Sequence, residues 1–330
     1  MANLRSELKT KVLNFSVNQS FNDLALSVFQ YQYHHNKLYR KFVEYLSVFP
    51  DQIQHYSKIP FLPIGFFKTQ KILSGSYKED QIFESSGTGN ETRSKHYVTD
   101  VDFYNKNSVK IFESVFGNLQ EKVILGMLPS YLERGNSSLV HMVNYFMQQT
   151  KNSDSTFYLN DFRTLAQKLE ILKKQNKEVV LFGVTFALID FCKTFKIDFP
   201  DLKIIETGGM KGRGKELIRA ELHQVIKDGF GVRNVYSEYG MTELLSQAYS
   251  INENGFGMPP QMKVLIRDLY DPRAHSENGK GAISIIDLAN IDSCSFIATD
   301  DMGEIKSNGC FDILGRMDTS EIRGCSLLTV

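Results

Sequence analysis

The sequence of 330 residues lacks any long apolar stretch and carries no net charge. A transmembrane helix needs roughly 20 consecutive apolar residues, and residues 1–21 also lack the apolar core of a secretory signal. Nucleic-acid-binding surfaces favour positive charge, but here 38 Lys and Arg residues are balanced by 38 Asp and Glu residues. We therefore expect a cytoplasmic protein with no membrane span and no nucleic-acid partner.

Cysteine is scarce as well, and the pattern argues against a zinc site and against a disulfide framework. The four cysteines, Cys192, Cys294, Cys310 and Cys325, lie too far apart for the paired spacing of a zinc site. In a chain without an export signal they indicate reduced thiols rather than a disulfide framework. The sequence also contains no internal repeat and no low-complexity linker. With 42% hydrophobic residues, it is typical of a globular protein with a substantial core.

The middle of the chain alternates between short apolar runs and helical patterns. The apolar runs are residues 123–128, 179–183, 203–207 and 234–237, and the clearest helical patterns are residues 161–174 and 214–226. Alternation of this kind predicts an α/β fold with a mostly parallel sheet covered by helices. After about residue 255, short strands divided by Asp, Asn and Gly predict a small β-rich subdomain.

The N-terminal part has a different pattern. Residues 20–46 predict one helix, because Ser20 followed by Asp23 resembles a capping box and apolar residues recur at helical spacing. Residues 59–67 contain two prolines and predict an extended connection. We predict three segments: a helical and extended region that packs on the core, an α/β core and a β-rich subdomain, at residues 1–80, 81–255 and 256–330.

A run of small hydroxyl residues and glycines is the first candidate motif. It contains Ser85, Ser86, Gly87, Thr88 and Gly89. Backbone N–H groups in such a loop can converge on a phosphate, and the hydroxyls add further donors. The loop lacks the Gly-Lys-Ser/Thr ending of a P-loop. By its composition alone the stretch is more typical of a flexible loop, so both interpretations stay open.

The second candidate motif, residues 237–243, ends a predicted strand in Tyr239 and Gly240. Thr242 and Glu243 would then lie at the carboxyl edge of the sheet, where open α/β folds bind ligands. Thr242 can donate a hydrogen bond to a phosphate, and the Glu243 carboxylate is a hard oxygen ligand suited to Mg²⁺. In isolation, Glu243 fits equally well as a residue that stabilises the start of a helix.

Three shorter segments contain residues that suit a nucleotide. Gly208 and Gly209 follow a predicted strand and would let the backbone approach a flat base closely. Asp301 can bind ribose hydroxyls, and Arg316 can donate to ribose or phosphate. Each segment alone is more typical of a turn than of a site.

The five segments follow one another as Ser-Ser-Gly-Thr-Gly, Gly-Gly, Tyr-Gly-Met-Thr-Glu, Thr-Asp-Asp-Met-Gly and Gly-Arg-Met-Asp. In this order they resemble the acyl-adenylate-forming superfamily of acyl-CoA synthetases, adenylation domains and firefly luciferase, from residue 84 to the end. The resemblance implies ATP and Mg²⁺ as cofactors. It also implies the large N-terminal-type domain of these enzymes as the fold, with mostly parallel sheets covered by helices.

The resemblance further implies a role for each matched residue. The phosphate loop would be formed by Ser85, Ser86, Gly87, Thr88 and Gly89. The adenine would lie beside Gly208, Gly209, Tyr239 and Gly240. Thr242 would contact the α-phosphate, and Glu243 would hold Mg²⁺. Asp301 would bind the ribose, and Arg316 would reach the nucleotide.

Two departures from the superfamily pattern affect catalysis. The usual Thr-Gly-x-Pro-Lys continuation of the phosphate loop is missing, so either Arg93 or Lys95 would supply its cation, and Lys95 is the candidate catalytic residue. Only twelve residues follow Asp318, which would form the hinge, so we expect the mobile C-terminal domain with its catalytic lysine to be absent. The chain would then adenylate with the large domain alone, take a lysine from a partner, or do neither.

Within the superfamily, the sequence is similar to the acyl-protein synthetases of bacterial luminescence, the synthetase component of the fatty acid reductase complex. The residues that carry this likeness are 128–131, 137–142, 238–247 and 320–327. In those enzymes a cysteine near the C-terminus carries the acyl group as a thioester, and Cys325 stands at the matching place. The likeness implies a long-chain fatty acid as the carboxylic acid substrate. It also implies an acyl-accepting reductase or acyltransferase as a partner protein.

The implied function is ATP-dependent activation of the acid to acyl-AMP, followed by transfer to Cys325. Two alternatives stay open. In the first, the chain is an adenylate-forming ligase that delivers its acyl group to CoA, a carrier protein or an amine, and Cys325 is structural. In the second, suggested by the missing lysine domain, the chain is a non-catalytic scaffold subunit of an acyl-processing complex.

Overall fold

The computed structural model describes residues 2–85, 92–128, 136–208, 218–251 and 254–317. The chain divides into two compact units. The central unit consists of residues Phe67–Lys71 together with the described part of Ser76–Pro259. The terminal unit consists of the described residues up to Phe66, Ile72–Gly75 and the described residues from Pro260 onward. The three predicted segments stay a prediction.

The central unit is built on a mixed sheet. Its strands are β4 (Lys122–Met127), β5 (Thr156–Phe157), β6 (Glu178–Val184), β7 (Lys203–Thr207), β8 (Val235–Tyr239), β9 (Ala248–Ile251) and β10 (Phe256–Gly257), in the spatial order β10-β9-β8-β7-β6-β4-β5. The strands from β5 to β8 in this order pair in parallel, whereas β8, β9 and β10 pair antiparallel. A separate hairpin pairs β2 (Gln81–Glu84) with β3 (Lys95–Val98). The α/β prediction is confirmed, and the sheet is mixed because of its antiparallel edge.

Three helices of the central unit begin where a polar side chain caps them. The helices of this unit are α5 (Val101–Phe116), α6 (Ser138–Thr150), α7 (Phe162–Lys174), α8 (Thr185–Thr194) and α9 (Arg219–Phe230), after the short α4 (Phe66–Thr69), where the chain passes between the units. Asp100, Ser137 and Asp161 accept hydrogen bonds from backbone N–H groups in the first turns of α5, α6 and α7. Buried aromatic rings of α5 and α6 pack on the Phe182 ring of β6. These helices therefore cover one face of the sheet.

The terminal unit combines N-terminal helices with the predicted β-rich region. The helices are α1 (Ala2–Leu13), α2 (Phe21–His35) and α3 (Lys37–Tyr45). The strands are β11 (Met262–Arg267), β12 (His275–Ser276), β13 (Gly279–Asp287), β14 (Phe296–Ile305) and β15 (Phe311–Arg316), which pair antiparallel in the order β12-β11-β13-β14-β15. The short strand β1 (Leu62–Pro63), in the predicted extended connection, pairs in parallel with β14.

The prediction of a single helix over residues 20–46 is wrong at Asn36. This residue has extended backbone angles and separates α2 from α3. Its Oδ1 accepts from the Tyr39 N–H at 3.0 Å and so caps α3, while its Nδ2 donates to the Ser293 carbonyl at 3.0 Å. Asn36 is buried, and these bonds compensate for the interruption of the helix. Ser20 caps α2 as predicted, by accepting from the Asp23 N–H.

In the described part of the chain, no helix combines the length and the apolar composition that a membrane span requires.

Candidate functional site

The predicted phosphate loop lies in the connection between β2 and β3. Ser85 and Ser94 close its base, because the Ser85 N–H donates to the Ser94 carbonyl and the Ser94 N–H donates to Ser85 Oγ, both at 3.0 Å. The Glu84 N–H donates to the Asn136 carbonyl at 2.9 Å, which anchors the preceding strand. The phosphate contacts of the loop stay predictions. The loop residues outside the described ones are Ser86, Gly87, Thr88 and Gly89.

Both candidate cations of the loop lie beside Glu84. Arg93 Nη1 is 3.8 Å and Lys95 Nζ is 3.6 Å from a Glu84 carboxylate oxygen. The side chains of Arg93 and Lys95 are 41% and 50% exposed, so water screens both ion pairs. Neither pair therefore holds its cation strongly. The geometry does not select one of them, so the catalytic role of Lys95 stays a prediction.

The segment after β8 brings Thr242 next to the β2–β3 hairpin. His96 on β3 is 1% exposed, and its Nδ1 lies 2.9 Å from the Thr242 carbonyl oxygen. Because a carbonyl oxygen can only accept, Nδ1 carries the proton and donates. The Phe67 ring packs edge-on against the imidazole, with ring centroids 5.8 Å apart. His96 thus connects β3, which follows the predicted phosphate loop in the sequence, to the turn that contains Thr242.

The turn that contains Thr242 and Glu243 is held from both ends. The Leu244 N–H donates to the Met241 carbonyl at 3.1 Å, which closes the turn. Asn107 of α5 is buried, and its Nδ2 donates to the Leu245 carbonyl at 2.9 Å. Glu243 itself is only 5% exposed. The turn follows the carboxyl end of β8, where the sequence predicted it, together with Tyr239 and Gly240.

Gly208 lies at the carboxyl end of β7, the neighbour of β8. Its φ of 71° is in the left-handed region, which glycine adopts without a steric penalty. The Thr185 hydroxyl, at the start of α8, donates to the Gly208 carbonyl and also lies 3.1 Å from Glu206 Oε2. Thr185 thus fixes the turn where the sequence predicted an adenine contact. Gly209 lies outside the described residues.

Glu238 is a titratable residue at the same edge that the sequence argument did not single out. It is the register partner of Thr207, whose hydroxyl donates to Glu238 Oε2 at 2.5 Å. Burial raises the pKa of Glu238 to about 7; the Thr207 hydrogen bond lowers it, and the negative charge of Glu206 adds to the rise. This carboxyl group therefore changes between its protonated and its charged form near neutral pH. The only sequence signal for it was an acidic residue at the end of an apolar strand.

Glu206 and His223 form a second buried polar contact, which the sequence argument also missed. Neighbouring residues on a strand point to opposite faces, so Glu206 lies on the opposite face from Thr207. There His223 Nε2 of α9 lies 3.1 Å from Ser237 Oγ and 3.8 Å from Glu206 Oε1. His223 is 1% exposed. Buried polar groups thus occupy both faces of the sheet beneath the predicted nucleotide contacts.

In the terminal unit, Asp301 and Arg316 lie on paired strands. They are register partners of β14 and β15, and Arg316 Nε is 3.3 Å from Asp301 Oδ1. The Asp301 N–H donates to Thr299 Oγ1 at 3.2 Å. Asp301 is 6% exposed, whereas the Arg316 side chain is 81% exposed. The structure therefore brings these two predicted residues together, and their nucleotide contacts stay predictions.

Two of the described cysteines, Cys192 and Cys294, are poor nucleophiles. Cys192 and Cys294 are buried, and burial raises the pKa of their thiols to about 11 and about 12. Cys310 has intermediate exposure. Because the thiolate is the reactive species, burial disfavours Cys192 and Cys294 as acyl carriers at neutral pH. Cys325 lies outside the described residues, and its role stays a prediction.

The described residues suit Mg²⁺ only when a substrate provides further ligands. They contain no cluster of three or more His, Cys, Asp and Glu side chains able to hold a metal ion. Mg²⁺ is commonly held by one or two carboxylates together with substrate phosphates and water. The buried Glu243 carboxylate beside Thr242 fits this kind of site. The predicted metal role of Glu243 is therefore compatible with the structure and stays a prediction.

Solved structures share the fold at low sequence identity. The long-chain-fatty-acid-CoA ligase of Archaeoglobus fulgidus matches with a TM-score of 0.54 and 17% identity, covering 75% of this chain and 53% of that chain. The O-succinylbenzoate coenzyme A synthetase of Bacillus subtilis, in complex with ATP and magnesium ion, has a TM-score of 0.52 and 17% identity. The match covers 71% of this chain and 49% of that chain. An N-terminal domain, that of FACL13 from Mycobacterium tuberculosis, has a TM-score of 0.51 and 16% identity and covers 73% and 62%. The chain thus spans less than two thirds of each.

Sequence comparison gives matches over more of the chain. The Long-chain-fatty-acid–luciferin-component ligase of Vibrio harveyi is 24% identical over 340 aligned positions, which cover 92% of this chain and 85% of that protein. The ligase of the same name from Aliivibrio fischeri is 23% identical and covers 92% and 86%. The family model described as acyl-protein synthetase, LuxE, matches residues 131–329, more than half of the chain. These findings confirm the resemblance found in the sequence: the chain belongs to the acyl-protein synthetase family, LuxE, and is a ligase.

Proposed function

We propose that the chain activates a long-chain fatty acid with ATP and Mg²⁺ and transfers the acyl group to Cys325. The relatives named as ligases of long-chain fatty acids support this substrate, and the solved relative in complex with ATP and magnesium supports the nucleotide. The observation that carries the proposal is the parallel pairing of β7 and β8. It places the Gly208 turn and the Thr242–Glu243 turn at one carboxyl edge, where α/β sheets bind ligands.

In the first step, a carboxylate oxygen of the fatty acid attacks the α-phosphorus of ATP. A bond forms between that oxygen and phosphorus, the bond to the bridging oxygen breaks, and pyrophosphate leaves with the electron pair. Protein groups contribute positioning and charge neutralisation rather than covalent chemistry. Thr242 donates to the α-phosphate, and Lys95 offsets phosphate charge. Mg²⁺, held by Glu243, would supply further neutralisation.

In the second step, the Cys325 thiolate attacks the carbonyl carbon of acyl-AMP. A carbon–sulfur bond forms, the bond between that carbon and the phosphate oxygen breaks, and AMP leaves. The thiol proton is lost to water before attack, because only the thiolate is nucleophilic. With an ordinary cysteine pKa of about 8.5, a few per cent of the thiol is ionised at neutral pH. The thioester then delivers its acyl group to a reductase or acyltransferase partner.

The activation step is tested by exchange of labelled pyrophosphate into ATP in the presence of fatty acids of increasing length. We expect exchange that depends on the fatty acid and on Mg²⁺. A Glu243→Gln variant should lose at least about tenfold, since oxyanion and metal contacts each contribute on this scale. Glu221→Gln, at an exposed position on α9, is the control and should retain activity. Exchange that does not depend on the fatty acid, or the absence of exchange with every acid tested, would contradict adenylation by this chain.

A further inference from the structure

We propose that His96 is a positioning residue that connects strand β3, which follows the Ser85–Ser94 pair, to the Thr242–Glu243 turn. The inference rests on the proposed function and adds a residue to it. His96 and Thr242 are 146 positions apart in the sequence, yet His96 Nδ1 donates to the Thr242 carbonyl at 2.9 Å. Along the chain, His96 lies two residues after Ser94, which closes the base of the predicted phosphate loop with Ser85. One imidazole therefore connects the two segments.

The surroundings of His96 restrict its imidazole to this position. Side chains alternate along β3, so His96 and Val98 are buried while Lys95 is exposed. The register partner of His96 on β2 is Phe83, which is fully buried. The Phe67 ring closes another side of the imidazole. A buried ring packed in this way cannot turn away from Thr242 without leaving a void.

The hydrogen bond fixes the orientation of the peptide between Thr242 and Glu243. In a planar trans peptide, the C=O and the following N–H point in opposite directions. Because the Thr242 carbonyl points to His96, the Glu243 N–H points to the opposite side. The orientation of this peptide restricts the directions in which the side chains of Thr242 and Glu243 leave the backbone. His96 thereby positions the two residues proposed to contact phosphate and Mg²⁺.

Two substitutions separate the donor function of His96 from its packing. His96→Phe keeps a buried aromatic ring but removes the donor. His96→Asn loses ring volume but carries an amide N–H at the same distance from the backbone as Nδ1. Substitution of His34, an exposed histidine of α2, by Asn is the control. A structural role alone predicts that Phe is tolerated better than Asn, whereas positioning through the hydrogen bond predicts the reverse.

The test is calorimetric binding of ATP in the presence of Mg²⁺, together with the KM values for ATP and fatty acid in the exchange reaction. For His96→Phe we expect about tenfold weaker ATP binding and a similar rise in KM for ATP, comparable with the loss of one buried hydrogen bond. The KM for fatty acid should change less than about twofold, and His96→Asn should recover most of the ATP affinity. Unchanged ATP binding by His96→Phe, or equal impairment of both variants, would overturn the proposal.

A second measurement decides the geometry without any ligand. In ¹⁵N-histidine NMR spectra of the wild type, with the His96 signal identified from His96→Asn, Nδ1 should be protonated, because it donates to a carbonyl. An Nδ1 without a proton would overturn the proposal even if His96→Phe fails to fold. Absence of ATP binding by the wild type would instead refute the proposed function. The two failures can be told apart, because the role of His96 is refuted only when the wild type binds ATP and His96→Phe binds it equally well.

Discussion

The Thr207 hydroxyl donates a hydrogen bond to Glu238 across the paired ends of β7 and β8, at 2.5 Å. Burial raises the pKa of Glu238 to about 7, and this hydrogen bond works against the rise. A carboxyl at the edge of the proposed nucleotide site therefore changes its charge near neutral pH. Its titration links the pH dependence of stability to a defined pair of side chains.

Glu238→Gln should remove part of the pH dependence of stability. The pKa of Glu238 rises from an ordinary 4.5 to about 7 in the folded protein, so the folded state holds the proton more tightly than the unfolded state. The free energy of unfolding should therefore fall as pH increases from about 4.5 to 7, by at most about 3 kcal/mol, since one pKa unit corresponds to about 1.4 kcal/mol. Urea unfolding at pH 5, 6, 7 and 8 measures this fall. Equal pH dependence in wild type and Glu238→Gln would contradict the assignment.

Thr207→Val should move the same transition to higher pH. The hydroxyl stabilises the charged carboxylate, so its removal raises the pKa of Glu238 further. Thr207→Ser retains a hydroxyl and serves as the matched control, with a transition close to that of the wild type. The measurement is again urea unfolding against pH. A transition that moves to lower pH in Thr207→Val would show that the hydroxyl does not act as the donor.

Thr185→Val tests the bond that fixes the Gly208 turn. Valine has nearly the shape of threonine but cannot donate to the Gly208 carbonyl or contact Glu206 through oxygen. We expect a loss of about 1–3 kcal/mol in the free energy of unfolding, because the buried Glu206 carboxylate and the Gly208 carbonyl lose their donor. The measurement is equilibrium unfolding in urea. Thr185→Ser should lose less than half as much, and a Thr185→Val protein as stable as the wild type would refute this role.

Neutralising Asp292 in the terminal unit should be costly. Arg5 Nε and Lys9 Nζ each lie 2.6 Å from one of its oxygens. Burial alone would raise the pKa of Asp292, but the two cations outweigh it and hold the pKa below its ordinary value. Asp292→Asn should cost about 3–5 kcal/mol, the range found when one member of a buried ion pair is removed. The measurement is chemical unfolding at pH 7.

The matched control for Asp292 is an exposed ion pair. Lys193 and Asp190 lie 2.8 Å apart, but their side chains are 67% and 49% exposed. Asp190→Asn should therefore change stability by less than about 1 kcal/mol. The contribution of Asp292 should be complete above the ordinary pKa of aspartate and should disappear as pH falls below about 4. Equal costs for the two substitutions would contradict the role of burial.

The sequence predicted the parts of the fold that depend on local patterns. Alternating apolar runs located β4, β6, β7 and β8 to within two residues, because a buried parallel strand is apolar throughout its length. Residues 20–46 were predicted as one helix because apolar periodicity continues across Asn36. The break depends on a hydrogen bond from Asn36 to Ser293, a residue 257 positions away. No local pattern contains that information.

The same distinction between local patterns and long-range contacts applies to the residues of the candidate site. Thr242 and Glu243 could be placed at a sheet edge because the carboxyl ends of parallel strands meet there. Glu238 could not be singled out, and the contact of His96 with Thr242 could not be predicted, since both depend on burial and on register. A glutamate before a tyrosine carries no local signal, and the partner of a histidine cannot be read from its neighbours in the sequence. Only the folded chain shows that His96 donates to Thr242 and that Glu238 accepts from Thr207.

Acyl transfer to Cys325 is tested most directly by the intact mass of the protein after incubation with ATP, Mg²⁺ and long-chain fatty acids. We predict an acyl adduct that is removed by hydroxylamine and is absent from Cys325→Ala. Cys310→Ala, which alters the described cysteine of intermediate exposure, should keep the adduct. An adduct that persists in Cys325→Ala would contradict the carrier role, as would AMP formation that requires CoA, a carrier protein or an amine and leaves the chain unmodified. If neither an adduct nor AMP forms with any acid, the non-catalytic scaffold is the remaining interpretation.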